Sequence, residues 1–430
     1  MIDREHVIVV GAGIAGLVIA HDLAYHAVPV TVLESADRVG GQLAALDLEG
    51  IEVDAAADSY PVRSTAVAEL AAELGLETVA PLDAPEWLIG ADGEAQALPA
   101  ASVLGIPAVP LAADVLAVIG TAGGWRALVD RFAPIFRPDK YASLGDLVGR
   151  RMGRRVLERL VDPVVRGVHS TSAAQLPIEV AAPDLRAALR RTGSLAAAVG
   201  DLRATSPAGS QVAGIRGGVY RLAARLAEQA IDYGAEIRTG AQVAEVTQNA
   251  VVTADGERLL GRVVVAAPGI ASKPTRQREV TVATALLEAP GLDDAPRGTG
   301  ALIAELAPGI QARAFTHTSA KWPWLGERLP EHRHVVRLAY DRAPEDPDAR
   351  VLADLRAITG AEILGIADLR VETWVRTLTA VPRSRPADVG EPGPRLAGEA
   401  ASDSGLATIV PRARALAADL IEGTHHDGIH

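Results

Sequence analysis

An apolar run from His6 to Val10 passes directly into Gly11-Ala12-Gly13-Ile14-Ala15-Gly16, and no other stretch of the chain leaves so few folds open. The run of valine and isoleucine predicts a strand buried on both faces, as strands of parallel sheets are. Alanine-rich sequence to about Tyr25 predicts a helix, and a second strand, Val28 to Leu33, ends at Glu34. Strand, glycine turn, helix and strand in this order form a βαβ unit of the Rossmann type. Gly11 permits the tight turn, Gly13 lets the backbone approach a pyrophosphate, and Gly16 lets the helix pack closely on the sheet. Amides at the helix start, from Ile14 and Ala15 onward, face phosphate charge. Glu34 stands where a carboxylate can bond ribose hydroxyls. The pattern predicts a dinucleotide site and leaves NAD and FAD both open.

Composition removes several other classes. The chain has 430 residues, 49% hydrophobic and 22% charged, enough for two or three globular domains. Its net charge of −12 argues against nucleic acid, which demands a basic face. The absence of cysteine excludes disulfides, thiolate metal sites, iron–sulfur clusters and a cysteinyl-linked flavin. The first strand begins too early for a signal peptide, so a cytoplasmic protein is expected. Between Ala95 and Gly124, Asp114 is the only charged residue that follows Glu94 and precedes Arg126. Prolines and glycines interrupt this stretch, so no transmembrane segment is expected. A buried segment or pocket wall is one reading of it; a surface in peripheral contact with a membrane is the other.

The sequence after Glu34 narrows the nucleotide. Ser35, Arg38, Gly40, Gly41 and Gln42 follow in one continuous run, Glu34-Ser35-Ala36-Asp37-Arg38-Val39-Gly40-Gly41-Gln42. An arginine followed by two glycines can close over a pyrophosphate, adding charge and exposed amides. This run resembles the flavin amine oxidase superfamily, where E-x-x-x-R-x-G-G accompanies FAD. Later segments fit the same resemblance: Gly214 to Leu222 opening a helix, Gly234 to Gly240 leading into Val243, and a strand from Arg262 to Ala267. Near the end stand Leu396-Ala397-Gly398-Glu399-Ala400-Ala401, then Ser404-Gly405-Leu406-Ala407 and a helix from about Thr408 to Ile421. The resemblance implies that Val243 holds adenine through its backbone, that Glu399 after Gly398 meets the ribityl–phosphate portion, and that the helix start at Gly405 and Leu406 faces the flavin.

The expected fold class is α/β (α+β overall), a Rossmann-type FAD-binding domain with an inserted substrate-binding sheet and a helical region. The FAD-binding domain is expected at 1–80, 211–272 and 390–424. A helical insertion fills 100–205, with an arginine-laden helix from about Gly149 to Arg166. The substrate-binding domain takes 81–99 and 275–388, and 425–430 form a tail. The cofactor is expected to be FAD, bound without a covalent link.

Within the superfamily the chain is most similar to the bacterial protoporphyrinogen/coproporphyrinogen oxidases. Arg38 to Leu43 followed by Gly50-Ile51-Glu52-Val53-Asp54 matches R-x-G-G-K-L … G-x-x-V-D, with glutamine at 42 in place of lysine. Ser143 to Ser170, Gly214 to Leu222 and Gly405 to Pro411 resemble further segments of that family. The resemblance implies a small-molecule substrate, a porphyrinogen, losing six electrons in three flavin cycles by hydride transfer to flavin N5. Oxygen is the implied acceptor and hydrogen peroxide its product. No protein residue is implied as a chemical catalyst, since the cofactor carries the reaction.

Arg63 is the candidate substrate residue: its guanidinium suits a propionate clamp, or it is a solvated arginine at a helix start. The chain departs from the family at Ala56, a glycine position beside Ala57 and the flavin, and at His169, usually tyrosine. Trp374, implied to lie at the cofactor, and Ala380-Val381-Pro382 match the family's pattern loosely. Arg150, Arg151, Arg154, Arg155 and Arg159 form either a solvated helix face or a surface that steers an acidic partner. No metal site is expected, and His425, His426 and His430 are read as part of the tail. Two other readings stand beside porphyrinogen oxidation: an oxidase or desaturase of an amine or specialised metabolite, and a flavin-binding homologue without turnover.

Overall fold

The computed structural model describes residues 6–62, 64–133, 141–169, 171–205, 212–270, 277–377, 393–401 and 405–427. The chain forms two compact units: Met1–Ala80 with Ser210–Arg278 and Val375–His430, and Pro81–Gly209 with Glu279–Trp374.

The first unit is built on a five-stranded sheet. Its spatial order is Glu236–Arg238, Val30–Leu33, Val7–Val10, Arg262–Val265, Arg395–Leu396, and every pairing is parallel. Numbered along the chain the order is 3-2-1-4-5, the Rossmann arrangement. Strand alternation divides the valines cleanly. Val7, Val9, Val30, Val32 and Val264 enter one apolar cluster, with the helices Ile14–Tyr25, Arg221–Asp232 and Leu406–Asp427. Ile8, Val10, Leu33, Val263 and Val265 enter another, where the antiparallel strands from Val243 to Leu260 cover the opposite face. The helix Ile14–Tyr25 therefore lies between sheet and helices, which explains why ten of its twelve residues are buried.

The second unit carries a seven-stranded mixed sheet. Its spatial order is Gly365–Thr377, Gln277–Glu288, Arg333–Tyr340, Ala314–His317, Gly300–Ile303, Trp87–Ile89, Ala95–Ala97. The helix Pro347–Thr359 contributes Val351, Leu355 and Ile358 to its core. A separate helical cluster packs Val115, Ile119, Leu147, Val156, Leu160, Leu189 and Val199 together.

Three expectations change in this light. The helix expected from Gly149 to Arg166 is broken: Leu144–Arg151 ends, and helix resumes at Arg154. Gly153 sits between them at φ 95°, and a Cβ there would come within 2.7 Å of Arg126 Cγ, so only glycine makes this break. The arginine cluster is not one solvated face. Arg151 is buried, pairs with the buried Asp130, and also donates to the carbonyls of Asp130 (3.2 Å) and Gly193 (3.1 Å). Arg159 and Arg155 instead donate to the carbonyls of Val118 and Ile119. Finally, the last helix runs to Asp427, so His425 and His426 extend it rather than a tail.

The stretch around residues 95–124, with Asp114 its one charge, resolves into short strands, a tight turn at Leu104-Gly105, and the helix Ala113–Leu128, interrupted at Gly120 with φ 71°. Its Val115, Val118 and Ile119 are buried in the helical cluster. Among the described residues no helix is long and apolar enough to cross a membrane.

Candidate functional site

The loop between the first strand and the first helix is held by backbone contacts from several directions. Gly11 N–H donates to the Leu33 carbonyl at 2.7 Å, and Gly40 N–H donates to the Ala12 carbonyl at 2.8 Å. Gly13 and Gly40 form a bridge, which brings the Arg38–Gln42 run over the start of the helix.

The three glycines of the turn divide by what surrounds them. Gly11 has φ +102°, and a Cβ on it would lie 2.9 Å from Ala267 N. A Cβ on Gly16 would lie 2.0 Å from the Gly11 carbonyl oxygen. The chain's own packing therefore demands both residues. Gly13 differs: its φ of −71° suits any residue, and a Cβ there would meet no protein atom within 4 Å. No side chain caps the helix that Gly13 begins, so its first amides keep their donors directed out of the N-terminus. A glycine without a protein neighbour, at a positive helix end, fits a phosphate that must reach the backbone. These residues suit a dinucleotide.

Glu34, half-buried at the end of the second strand, accepts from Ala12 N–H at 2.7 Å and from Ala36 N–H at 2.9 Å. Ser35 Oγ donates to the same carboxylate at 3.3 Å. A carboxylate has about four acceptor positions, so it retains capacity for hydroxyl donors. Val243 belongs to the adjoining strand. Ala241 and Gly240 N–H donate to the carbonyls of Glu34 and Ala36, and this brings the Val243 segment beside the acid. Arg38 is exposed and donates to the Gly41 carbonyl at 3.0 Å, so its guanidinium folds back over its own loop.

Across the helix start, Gln42 Nε2 donates to Glu399 Oε1 at 3.0 Å. Gly398 is buried with φ +56°, and a Cβ on it would lie 2.7 Å from Ala15 Cβ. Gly405 is exposed just before the last helix, which begins at the buried Leu406. Ala57 is exposed after the half-buried Ala56. Gly11, Gly13, Ile14, Ala15, Gly16, Glu34, Ser35, Arg38, Gly40, Gly41, Gln42, Ala57, Val243, Gly398, Glu399, Gly405 and Leu406 all lie in the first unit.

Trp374 does not: it belongs to the second unit, on the strand Gly365–Thr377, where its indole Nε1 is buried without a hydrogen-bond partner among the described residues. His169 ends a helix of that unit. Arg63, Ser170 and the segment Ala380 to Ser384 lie outside the described residues.

One organising residue was given no role from the sequence. Asp54, buried, accepts from Val219 N–H at 3.0 Å and Tyr220 N–H at 2.8 Å. It thereby joins the G-x-x-V-D run to the Gly214–Leu222 segment at the start of the helix Arg221–Asp232. Both patterns were visible, but their 165-residue separation concealed the contact. Next to it, Glu52 accepts from the Tyr220 hydroxyl at 3.0 Å; burial and this carboxylate raise the phenol to about 12.

Comparison with known proteins identifies the family. The family model for flavin-containing amine oxidoreductases matches residues 14–294, well over half of the chain. A coproporphyrinogen III oxidase of Mycobacterium tuberculosis is 29% identical over 412 residues, covering 86% of each chain. That of Staphylococcus aureus is 25% identical over 416 residues, covering 89% of this chain and 88% of its own. Among solved structures, a protein of Exiguobacterium sp. 255-15 assigned as a protoporphyrinogen oxidase superposes with a TM-score of 0.81 at 22% identity. That match covers 98% of this chain and 100% of the other. This chain belongs to the flavin-containing amine oxidoreductases, and it is a flavin-dependent oxidoreductase.

Proposed function

We propose that the protein is a porphyrinogen oxidase that holds FAD non-covalently and converts coproporphyrinogen III or protoporphyrinogen IX to the porphyrin. The observation that carries this reading is the 29% identity to a coproporphyrinogen III oxidase along 86% of both chains. One molecule of porphyrinogen loses six hydrogens, and three molecules of oxygen become three of hydrogen peroxide. Bound FAD supplies the hydride acceptor, its N5 atom.

The chain's own residues bind and orient. Amides from Ile14 onward and the open backbone at Gly13 receive the pyrophosphate. Glu34 takes ribose hydroxyls with the acceptor positions that Ala12 and Ala36 leave to it. Backbone groups near Val243 receive the adenine, and Glu399, Gly405 and Leu406 serve the flavin side. Arg38 lies beside the pyrophosphate and adds positive charge when its guanidinium turns from the Gly41 carbonyl. Arg63, whose guanidinium suits a propionate, is the proposed substrate residue. Trp374 keeps a buried indole donor without a hydrogen-bond partner among the described residues.

The test is direct. FAD-loaded protein mixed with coproporphyrinogen III in air should produce porphyrin fluorescence and peroxide above a boiled control. If the flavin stays oxidised under anaerobic conditions with both porphyrinogens, the assignment is wrong.

A further inference from the structure

The strand Gly365–Thr377 stands at one edge of the seven-stranded sheet and is the longest strand among the described residues. Strands commonly run about 5–6 residues. Edge strands are usually kept short or blocked by proline, because an open edge presents a row of N–H and C=O groups to any other strand. This one runs for 13 residues, contains no proline, and has glycine only at its start. Its inner side pairs with Gln277–Glu288, and among the described residues no strand pairs with its outer side. Arg370, Thr373 and Val375 are exposed along it.

Its side chains divide by alternation. Leu369 and Val371 lean on the apolar core of the second unit, and Thr373 Oγ1 meets the fully buried Thr281 at 3.0 Å. Asp368, Arg370 and Glu372 therefore project from the opposite face. Arg370 pairs there with Asp368, two residues back on the same strand. At every second residue of that face the charge changes sign: negative, positive, negative.

Such a row complements its own reverse. A two-fold axis through Val371, the midpoint of the strand, lays its full length antiparallel against the same strand of a second copy. Arg370 of each copy then faces Glu372 of the other, and symmetry makes that pair twice. Moving the axis by one residue sets Arg370 against Arg370, or Glu372 against Glu372, so the charges oppose either slip. A guanidinium has five donors, so Arg370 can hold Asp368 of its own strand and the facing Glu372 together.

We infer that Gly365–Thr377 is a docking edge for a second copy of this chain, joined antiparallel about Val371 so that the two sheets become one. Main-chain hydrogen bonds supply the attachment, and the alternating charges choose the partner and fix the register.

Sedimentation equilibrium of the full chain over a range of concentrations tests this. The natural protein should reach twice the chain mass of 44.6 kDa. Arg370→Glu, and separately Glu372→Arg, places like charges opposite each other at both symmetric positions and should weaken the dimer about tenfold or more. The two changes together restore opposite charges and should return the dimer to within about threefold of the natural protein. A defect in folding caused by either change would not be repaired by adding the other. A monomer at every concentration would overturn the inference. So would a dimer that neither single change weakens, or a double variant as weak as the single ones.

Discussion

In the first unit, the polar groups gathered at the glycine turn are mostly backbone amides, brought to one place by residues with little or no side chain. In the second, several buried polar side chains pair with one another. Arg151 and Asp130 pair in the helical cluster. Asp354, fully buried, accepts from Ala312 N–H at 2.9 Å and pairs with Arg350 at 2.9 Å. His317 meets His334 at 3.1 Å, and His334 meets Asp293 at 3.0 Å. A site made from backbone must be written as a fixed spacing of small residues, because nothing else opens the chain at those points. Side-chain clusters impose no such spacing, since their members arrive from separate elements.

The largest expected effect is on the side-chain unit. Asp130→Ala leaves the Arg151 guanidinium buried without its carboxylate and should cost about 3–5 kcal/mol in denaturant unfolding. A loss below about 1 kcal/mol would mean that the ion pair does not organise the helical cluster, and the contrast between the units would fail. The glycines sharpen the other side of the comparison. Gly16→Ala should cost about 1–3 kcal/mol in the apoprotein, because the backbone near Gly11 must shift. Gly13→Ala should leave apoprotein stability within about 0.5 kcal/mol while weakening FAD at least tenfold, as flavin fluorescence would report. Equal destabilisation by the two substitutions would assign Gly13 to packing rather than to a ligand.

The smallest effect concerns acid. Burial, then the charge of His334, presses His317 from 6.5 to about 3 in the folded chain. Above pH 6.5 both states are neutral and stability is flat. Below it the unfolded chain takes a proton that the folded chain refuses, so stability falls until the pH nears 3. Burial lowers His334 in the same direction. The expected loss from His317 is about 1.4 kcal/mol between pH 8 and 5.5, and His317→Gln should remove it. An unchanged pH profile in that variant would show that the histidine chain is not a stored cost of the second unit.

The same contrast explains what could be read in advance. The parallel sheet, the glycine turn and the family were legible, because valine runs and glycine spacing are local. Arg151 read as one of a row of surface arginines, since its partner Asp130 stands 21 residues earlier on a different element. The break at Gly153 was missed because a lone glycine is tolerated inside a helix, and only the fold shows its φ of 95° with Arg126 packed beside it. Asp54 was part of a recognised pattern, yet its role depends on amides that only the fold brings near.

The chain's path through the first unit also sets when that unit can be finished. Its edge strand Arg395–Leu396, Glu399 and the helix from Leu406 leave the ribosome long after the Gly11–Gly16 turn that they flank. At about 5–20 residues per second, some tens of seconds separate the two events. During that interval the Ile14–Tyr25 helix lacks the helix Leu406–Asp427 that packs against it, so the nascent chain presents an apolar surface that a chaperone can hold until that helix has been made.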